Sequence, residues 1–310
     1  KETPTFDATA ALYGIDLHAM GLDPGHEGYR LSGKLNVLAD NADFRQLSGR
    51  LDLSDVAWVD GDGKGFTMNR LTATARPEGI QPELRIESPV VEGFLKGAYD
   101  FTTLGRTLHE TARIFLPVLD ARAKPRGKHG NHRVRPNNFH FDLTLKPASS
   151  LCHMLGLPVE YPDDVTLTGR VDDNTGYASV NLNAPYLIQG QKIIENTHVF
   201  GLLDPTQSHA MVYGTTQYPT KKGDMAVAFT LKAKDNVIGS HIDWEIIRTI
   251  PLNVHIDFGI ALHSLHSPAG SAFPLTATME MRPGSINFGD ETWQIEPGTL
   301  AMLPDKLVVD

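Results

Sequence analysis

The fold of this chain is decided by the stretch Val165–Ala184, which reads V-T-L-T-G-R-V-D-D-N-T-G-Y-A-S-V-N-L-N-A. Apolar and polar residues alternate through its first half and again after positions 173–176. Side chains of a β-strand point to opposite faces at a period of two, so each half predicts a half-buried strand. Asp, Asn and Gly at 173–176 are typical turn residues. The stretch therefore predicts a β-hairpin with one apolar face.

The same alternation continues through most of the chain, and it is most regular from Val254 to Leu262. Two helices are predicted, at 103–121 and at 147–156, and Pro117 should kink or shorten the first of them. The first helix favours packing over the end of a sheet, with a membrane-surface helix as the alternative. Two short helices cannot cover such a sheet, so it either folds on itself as a sandwich or barrel or leaves an apolar face open.

The predicted fold class is mainly β: an elongated, curved antiparallel sheet with one or two short helices. Curvature is predicted from a recurring Leu-x-Gly pattern, as in Leu95-x-Gly97 and Leu167-x-Gly169, because glycine within a strand marks a bulge, a bend or a close backbone approach. The residues predicted to line the apolar face are Val165, Leu167, Val171, Val180, Leu182, Val254, Ile256, Phe258, Ile260, Leu262, Phe273 and Leu275.

Composition narrows the class of protein further. The chain has 310 residues, a net charge of −9 and a single cysteine, Cys152, which is predicted to be a buried small residue. The negative charge argues against nucleic acid as the main partner. No apolar run approaches the ~20 residues that span a bilayer. We expect residues 1–310 to form one continuous β-rich segment of a larger protein, with a possible boundary at the basic stretch 121–138, between 1–120 and 139–310.

The basic stretch 121–138 contains arginine, lysine and histidine but no carboxylate. It favours a solvated loop, and attraction of anionic lipid headgroups or nucleic acid is the alternative. The glycine-rich stretch from Asp60 to Gly65 predicts a hairpin turn rather than a calcium loop, because the bidentate glutamate of such a loop is missing.

Motifs for catalysis are missing from the sequence. It contains no G-x-S-x-G, no phosphate-binding G-x-x-x-x-G-K-[ST] and no H-E-x-x-H. Aspartate pairs at 163–164 and 172–173 could serve a glycosidase, but turn chemistry explains them better. The best metal candidates are His263 and His266 near His255, without a clear acidic partner. We therefore predict neither enzymatic activity nor a metal or other cofactor.

The segment Met279–Met302 reads M-E-M-R-P-G-S-I-N-F-G-D-E-T-W-Q-I-E-P-G-T-L-A-M. It resembles a segment of TamB-like proteins of Bacteroidetes with the form P-S-x-F-x-L-N-D-x-x-W-x-I-x-P. Gly284 separates Pro283 from Ser285, and the run from Ser285 to Asp290 is one residue short of that form. The segments 31–55, 91–104 and 155–169 are similar to the family as well, so the resemblance covers most of the chain.

The resemblance implies a segment of a long envelope protein of the AsmA-like group. Such proteins are anchored in the inner membrane and cross the periplasm, and their strands build a U-shaped groove with an apolar inside (a β-taco). The family is associated with phospholipid movement to the outer membrane and with outer-membrane protein assembly beside a barrel partner. The resemblance thus implies phospholipid acyl chains as partners, an inner-membrane anchor outside this segment, and no catalytic residues.

Two other functions stay open at this stage. One is a scaffold that offers sheet edges to incoming outer-membrane strands. The other is a β-sandwich or β-solenoid that binds glycans or acts as an adhesin. Trp244 and Trp293 are in phase with apolar neighbours rather than on the polar face, which disfavours a glycan platform.

Overall fold

The computed structural model describes residues 5–21, 25–41, 48–76, 82–118, 137–221, 223–264, 275–302 and 307–309. The first strands are β1 (Phe6–Ile15), β2 (Arg30–Asn41), β3 (Ser48–Val59), β4 (Gly65–Arg76), β5 (Glu83–Glu87) and β6 (Val91–Ala98), followed by helix α1 (Phe101–Phe115), strand β7 (Asn138–Leu145) and helix α2 (Ser149–Met154). Next come β8 (Val165–Asp172), β9 (Tyr177–Gln189), β10 (Lys192–Asp204), β11 (His209–Tyr218), β12 (Asp224–Lys234), β13 (Val237–Ile247) and β14 (Leu252–Ser264). The last strands are β15 (Leu275–Met281), β16 (Gly284–Phe288), β17 (Glu291–Ile295), β18 (Gly298–Met302) and β19 (Leu307–Val309).

The strands form one antiparallel sheet, and over the described residues this sheet is open and is not closed into a barrel. The predicted class, mainly β with two helices, is therefore confirmed. Many consecutive strands pair as antiparallel hairpins. Asp235 and Asn236, for example, both have positive φ in the two-residue turn that joins β12 to β13. That is the backbone conformation of the turns that best match the twist of a hairpin.

The contacts divide the chain into two compact units. The first contains residues 1–102, 135–170 and 184–192, and the second contains residues 103–134, 171–183 and 193–310. Strands β8 and β9, the hairpin predicted from 165–184, contribute residues to both units. The basic stretch 121–138 lies almost entirely outside the described residues, so its predicted role as a boundary or loop stays a prediction.

Helix α1 packs against turns at the end of the second unit's sheet, as its amphipathic pattern favours. The backbone N–H of Asn236 donates to the carbonyl of Phe115 at 3.1 Å. The side-chain oxygen of Asn236 accepts from the N–H of Val118 at 2.7 Å. The helix ends at Phe115, two residues before Pro117, and is shorter than the predicted range of 103–121 because proline cannot continue it.

Helix α2 covers an apolar patch in the first unit. Met154 packs with Phe66 and Met68 of β4, and all three side chains are buried. Cys152 is 1% exposed, which confirms the prediction that it is a buried small residue. The Asp60–Gly65 stretch forms the predicted hairpin turn, in which the Asp60 carboxylate accepts the N–H groups of Asp62 and Lys64.

The segment that resembles TamB-like proteins forms a long hairpin interrupted by proline. Strands β16 and β17 pair through the turn after Phe288, and β15 and β18 continue the same register. Pro283 and Pro297 stand where the two long strands are interrupted, because proline has no N–H to donate to the ladder. This hairpin borders β14, which pairs with β15 through Phe258 and with β16 through Val254.

Candidate functional site

A continuous apolar surface of the second unit is built on β14. Alternate residues of this strand lie beside apolar residues of β13, where Val254 is opposite Trp244 and Ile256 is opposite Ile242. On the other side of β14, Ile260 is opposite Met279. Since directly opposed residues point to the same side of a sheet, these side chains share one face.

The same face continues across the neighbouring strands. In β12, Val227 is opposite Trp244 and Phe229 is opposite Ile242. In the proline-interrupted hairpin, Ile286 is opposite Trp293 and Met279 is opposite Leu300. We call this surface the second-unit apolar face, and its members are Val227, Phe229, Ile242, Trp244, Val254, Ile256, Phe258, Ile260, Leu262, Met279, Ile286, Trp293 and Leu300.

None of these side chains is buried by the described residues. Trp244 and Trp293 are 39% and 53% exposed, and the other members are intermediate. The two inner faces of a β-sandwich would interdigitate and bury such residues. Over the described part of the chain, the second-unit apolar face is therefore uncovered.

The residues predicted to line an apolar face fall into three groups. Those of β14, from Val254 to Leu262, lie on the second-unit apolar face. In the predicted hairpin, Val165 and Val171 are buried, Leu167 and Leu182 are intermediate, and Val180 is 39% exposed. Phe273 lies outside the described residues, and Leu275 is placed by its backbone, which pairs with Ser264.

The opposite side of β13 and β14 carries a closed ring of two histidines and two aspartates. His241 is directly opposite Asp257, and Asp243 is directly opposite His255. We call these four residues the His–Asp cluster. The Nδ1 and Nε2 atoms of His241 lie 2.8 Å from Asp257 and 3.0 Å from Asp243. The Nδ1 and Nε2 atoms of His255 lie 2.7 Å from Asp243 and 3.3 Å from Asp257.

Hydrogen bonding within the His–Asp cluster shifts the pKa values of its side chains. The hydrogen bond to Asp257 raises the pKa of His241 above its ordinary value. Hydrogen bonds from His255 and from His241 lower the pKa of Asp243 and of Asp257, respectively. The aspartates are therefore held as carboxylates.

The sequence indicated His263 and His266 near His255 as the best metal candidates and predicted no metal. It did not link His255 to His241 or Asp257. Among the described residues, the group that could hold a metal ion is His241, His255 and Asp257. His263 is exposed on β14 outside this group, and His266 lies outside the described residues. The available signal was the repeated His-Ile-Asp at 241–243 and 255–257, which two adjacent antiparallel strands bring into reciprocal pairs.

A second polar cluster lies in the first unit, around Asp52. The carboxylate accepts hydrogen bonds from Arg50, from Arg70 at 2.9 Å and from the Thr72 hydroxyl at 2.7 Å. Both arginines line a polar cleft of about 640 Å³. Hydrogen bonding to Arg50 holds the pKa of Asp52 far below its usual range. The two guanidinium groups are thus already paired with a carboxylate.

Replacing Asp52 should make the free energy of unfolding less dependent on pH in the acidic range. We expect Asp52→Asn to lower the free energy of unfolding at pH 7 by about 1 kcal/mol, because charge-assisted bonds to two arginines are lost. This contribution is present above the pKa of an unfolded aspartate, about 3.9, and is lost as the pH falls towards the lower pKa of the folded carboxyl. Urea unfolding of both proteins at pH 7 and pH 3 should show the difference narrowing at pH 3.

Asp55→Asn is the matched control, because Asp55 pairs with Lys34 in an exposed salt bridge. Such a pair contributes little, so this variant should resemble the parent protein at both pH values. A gap for Asp52→Asn that stays constant down to pH 3 would contradict the expected linkage.

Among the described residues, no helix combines the length and the apolar character needed to cross a bilayer. Comparisons of the chain with protein-family models, with curated proteins and with solved structures find no match. The resemblance to TamB-like proteins therefore rests on the sequence motifs alone.

Proposed function

We propose that the second-unit apolar face binds phospholipid acyl chains, and that the chain is a segment of a TamB-like envelope protein that carries lipid between the inner and outer membranes. The observation that carries this proposal is the exposure of a continuous apolar face, from Val227 in β12 to Leu300 in β18. An apolar face that spans several strands and is left uncovered is the kind of surface that binds an apolar partner.

The dimensions of β14 suit an acyl chain. A strand of 13 residues is about 43 Å long, whereas one leaflet of a bilayer core is about 15 Å thick. An acyl chain on this face gains about 0.8 kcal/mol for each CH₂ group removed from water. The apolar side chains repeat along the strand, so the gain is similar at successive positions and a chain can slide without a deep trap.

A charge placed on this face should abolish lipid binding. We expect Phe258→Asp to remove most of the phospholipid that co-purifies with the protein, because a carboxylate beside an acyl chain must be desolvated. Mass spectrometry of organic extracts would quantify the lipid. Photocrosslinking from position 258 to a labelled phospholipid would place it on the face.

The matched control is Asn253→Asp, which adds the same charge on the same strand but on the opposite face. It should retain the lipid of the parent protein. Equal lipid content in all three proteins, or no lipid in the parent, would overturn the proposal.

Support for outer-membrane protein assembly is the companion role that the resemblance suggests, with a barrel protein as partner. The two roles separate in one experiment. Lipid transfer between vesicles and insertion of a barrel protein would both be measured with Phe258→Asp. Loss of transfer with normal insertion supports the lipid role, and the reverse result supports the scaffold. Retention on a glycan array, independent of position 258, would instead favour the glycan-binding module.

A further inference from the structure

The His–Asp cluster contains more nitrogen–oxygen contacts than neutral imidazoles can satisfy. Its four contacts measure 2.7, 2.8, 3.0 and 3.3 Å, and each joins a ring nitrogen to a carboxylate oxygen. A neutral imidazole has one N–H donor and one lone pair. Two neutral rings therefore provide two N–H groups for four contacts.

One arrangement of the two N–H groups leaves a cation-binding set. If Nε2 of His241 and Nδ1 of His255 both donate to Asp243, the Asp243 carboxylate is satisfied. The remaining lone pairs, on Nδ1 of His241 and Nε2 of His255, then face the Asp257 carboxylate at 2.8 and 3.3 Å. Three electron-pair donors converge there, and a positive charge between them, either a proton on one imidazole or a bound cation, would satisfy them.

We propose that His241, His255 and Asp257 bind a divalent transition-metal ion, with Asp243 as the positioning residue that orients both imidazoles. Two imidazole nitrogens and one carboxylate oxygen suit Zn²⁺, Cu²⁺, Ni²⁺ or Fe²⁺ better than they suit the oxygen-seeking Ca²⁺ and Mg²⁺. A carboxylate that accepts the second N–H of a ligating histidine is the usual outer partner in such sites.

The surroundings leave the site accessible. On the adjacent strand β12, the residues opposite Asp243 and His241 are Ala228 and Thr230. On the other side, Ser285 of β16 is opposite His255. These small side chains do not cover the imidazoles, which are 42% and 39% exposed. Water can therefore complete the coordination of a bound ion, and the ion can exchange with solution.

The two sides of β13 and β14 would then bind different partners. The metal site occupies the polar side, whereas the proposed acyl-chain site occupies the apolar side of the same strands. Because alternate residues of a strand point to opposite faces, His255 and Asp257 can change without altering Ile256 or Phe258. The metal proposal does not depend on the lipid proposal.

The test is Zn²⁺ binding by the metal-free chain at neutral pH, measured by calorimetry and by metal content after dialysis. We expect one ion per chain, and at least a tenfold weaker affinity in His241→Ala and in Asp257→Asn. His263→Ala removes an exposed histidine of β14 that lies outside the cluster, and this variant should bind Zn²⁺ as the parent protein does. Circular dichroism of each variant would show that it is folded.

Asp243→Asn separates the positioning residue from the ligands. This variant should keep the one-ion stoichiometry with a reduced affinity, and the visible spectrum of its Co²⁺ complex should keep the ligand-field bands of nitrogen coordination. Binding that is equally weak in the parent and in all variants would overturn the proposal and leave a cross-strand ladder of ion pairs. Binding that is lost in His263→Ala alone would also overturn it.

Discussion

Gly93→Ala is expected to destabilise the first unit by on the order of 3 kcal/mol, a large part of the ~5–15 kcal/mol that stabilises a typical domain. Gly93 has φ of +144°, a conformation that side chains other than glycine rarely adopt. A Cβ atom there would lie 2.1 Å from the carbonyl oxygen of Asp142 in the paired strand β7. Because the obstacle is backbone, the strand itself must shift.

The destabilisation caused by Gly93→Ala should be confined to the strands near Gly93. Hydrogen exchange measured by mass spectrometry should show lost protection in β5, β6 and β7, together with a lower midpoint of thermal unfolding. Gly49→Ala should act similarly between β2 and β3, where the added Cβ would lie 2.1 Å from the Leu38 oxygen.

The control for both variants is Gly239→Ala. Gly239 also lies within a strand, but the nearest atom to an added Cβ is the Lys232 oxygen at 3.8 Å. We expect the free energy of unfolding of Gly239→Ala to stay within about 1 kcal/mol of that of the parent protein. The added Cβ meets no close atom, and alanine loses less conformational freedom on folding than glycine. Unchanged protection in Gly93→Ala would show that β6 and β7 can separate at no cost, contrary to this expectation.

Asn137→Ala is expected to lower the free energy of unfolding by about 2–3 kcal/mol. Asn137 is fully buried, and its side-chain oxygen accepts the backbone N–H of Asp100 at 2.6 Å. This bond ties the residue before α1 to the residue before β7. Alanine removes the acceptor and leaves a buried N–H without that partner.

Asn138→Ala tests whether burial explains the effect. Asn138 is the exposed neighbour of Asn137 in sequence, so its replacement should change the free energy of unfolding by less than about 0.5 kcal/mol. Chemical unfolding of the parent and both variants gives the comparison. Equal effects of the two substitutions would contradict the role assigned to the Asn137 hydrogen bond.

Local patterning was sufficient for the fold class, but it did not delimit a strand whose two faces are both apolar. Strand β14 was predicted with its residues because apolar ones alternate with polar ones. Strand β10 was predicted only as part of a continuing series of strands, since Phe200 and Leu202 interrupt any alternation with Val199 and Leu203. The structure explains this, because the Phe200 ring contacts that of Tyr213 on the face opposite Val199, with centroids 5.2 Å apart.

The recurring Leu-x-Gly pattern predicted bulges, bends or close backbone approaches, and the local sequence did not say which. Gly49 and Gly97 lie in close approaches to the backbone of the paired strand. Gly33 carries the same local sequence but lies at a register shift of β2 on β3, between Ser32 and Lys34. The neighbours in sequence are alike, so the difference comes from how the partner strand is placed.

By itself, the sequence determined that this protein is a sheet of half-buried strands, because period-two alternation and turn residues act within a few residues of one another. Tertiary structure alone decided which residues from distant positions meet. The register of β13 on β14 turned two separate His-Ile-Asp segments into one cluster, and the placement of α1 at the end of the second unit's sheet left the second-unit apolar face uncovered by the described residues. Both depend on contacts between segments far apart in the chain, and no local pattern specifies the register or the cover.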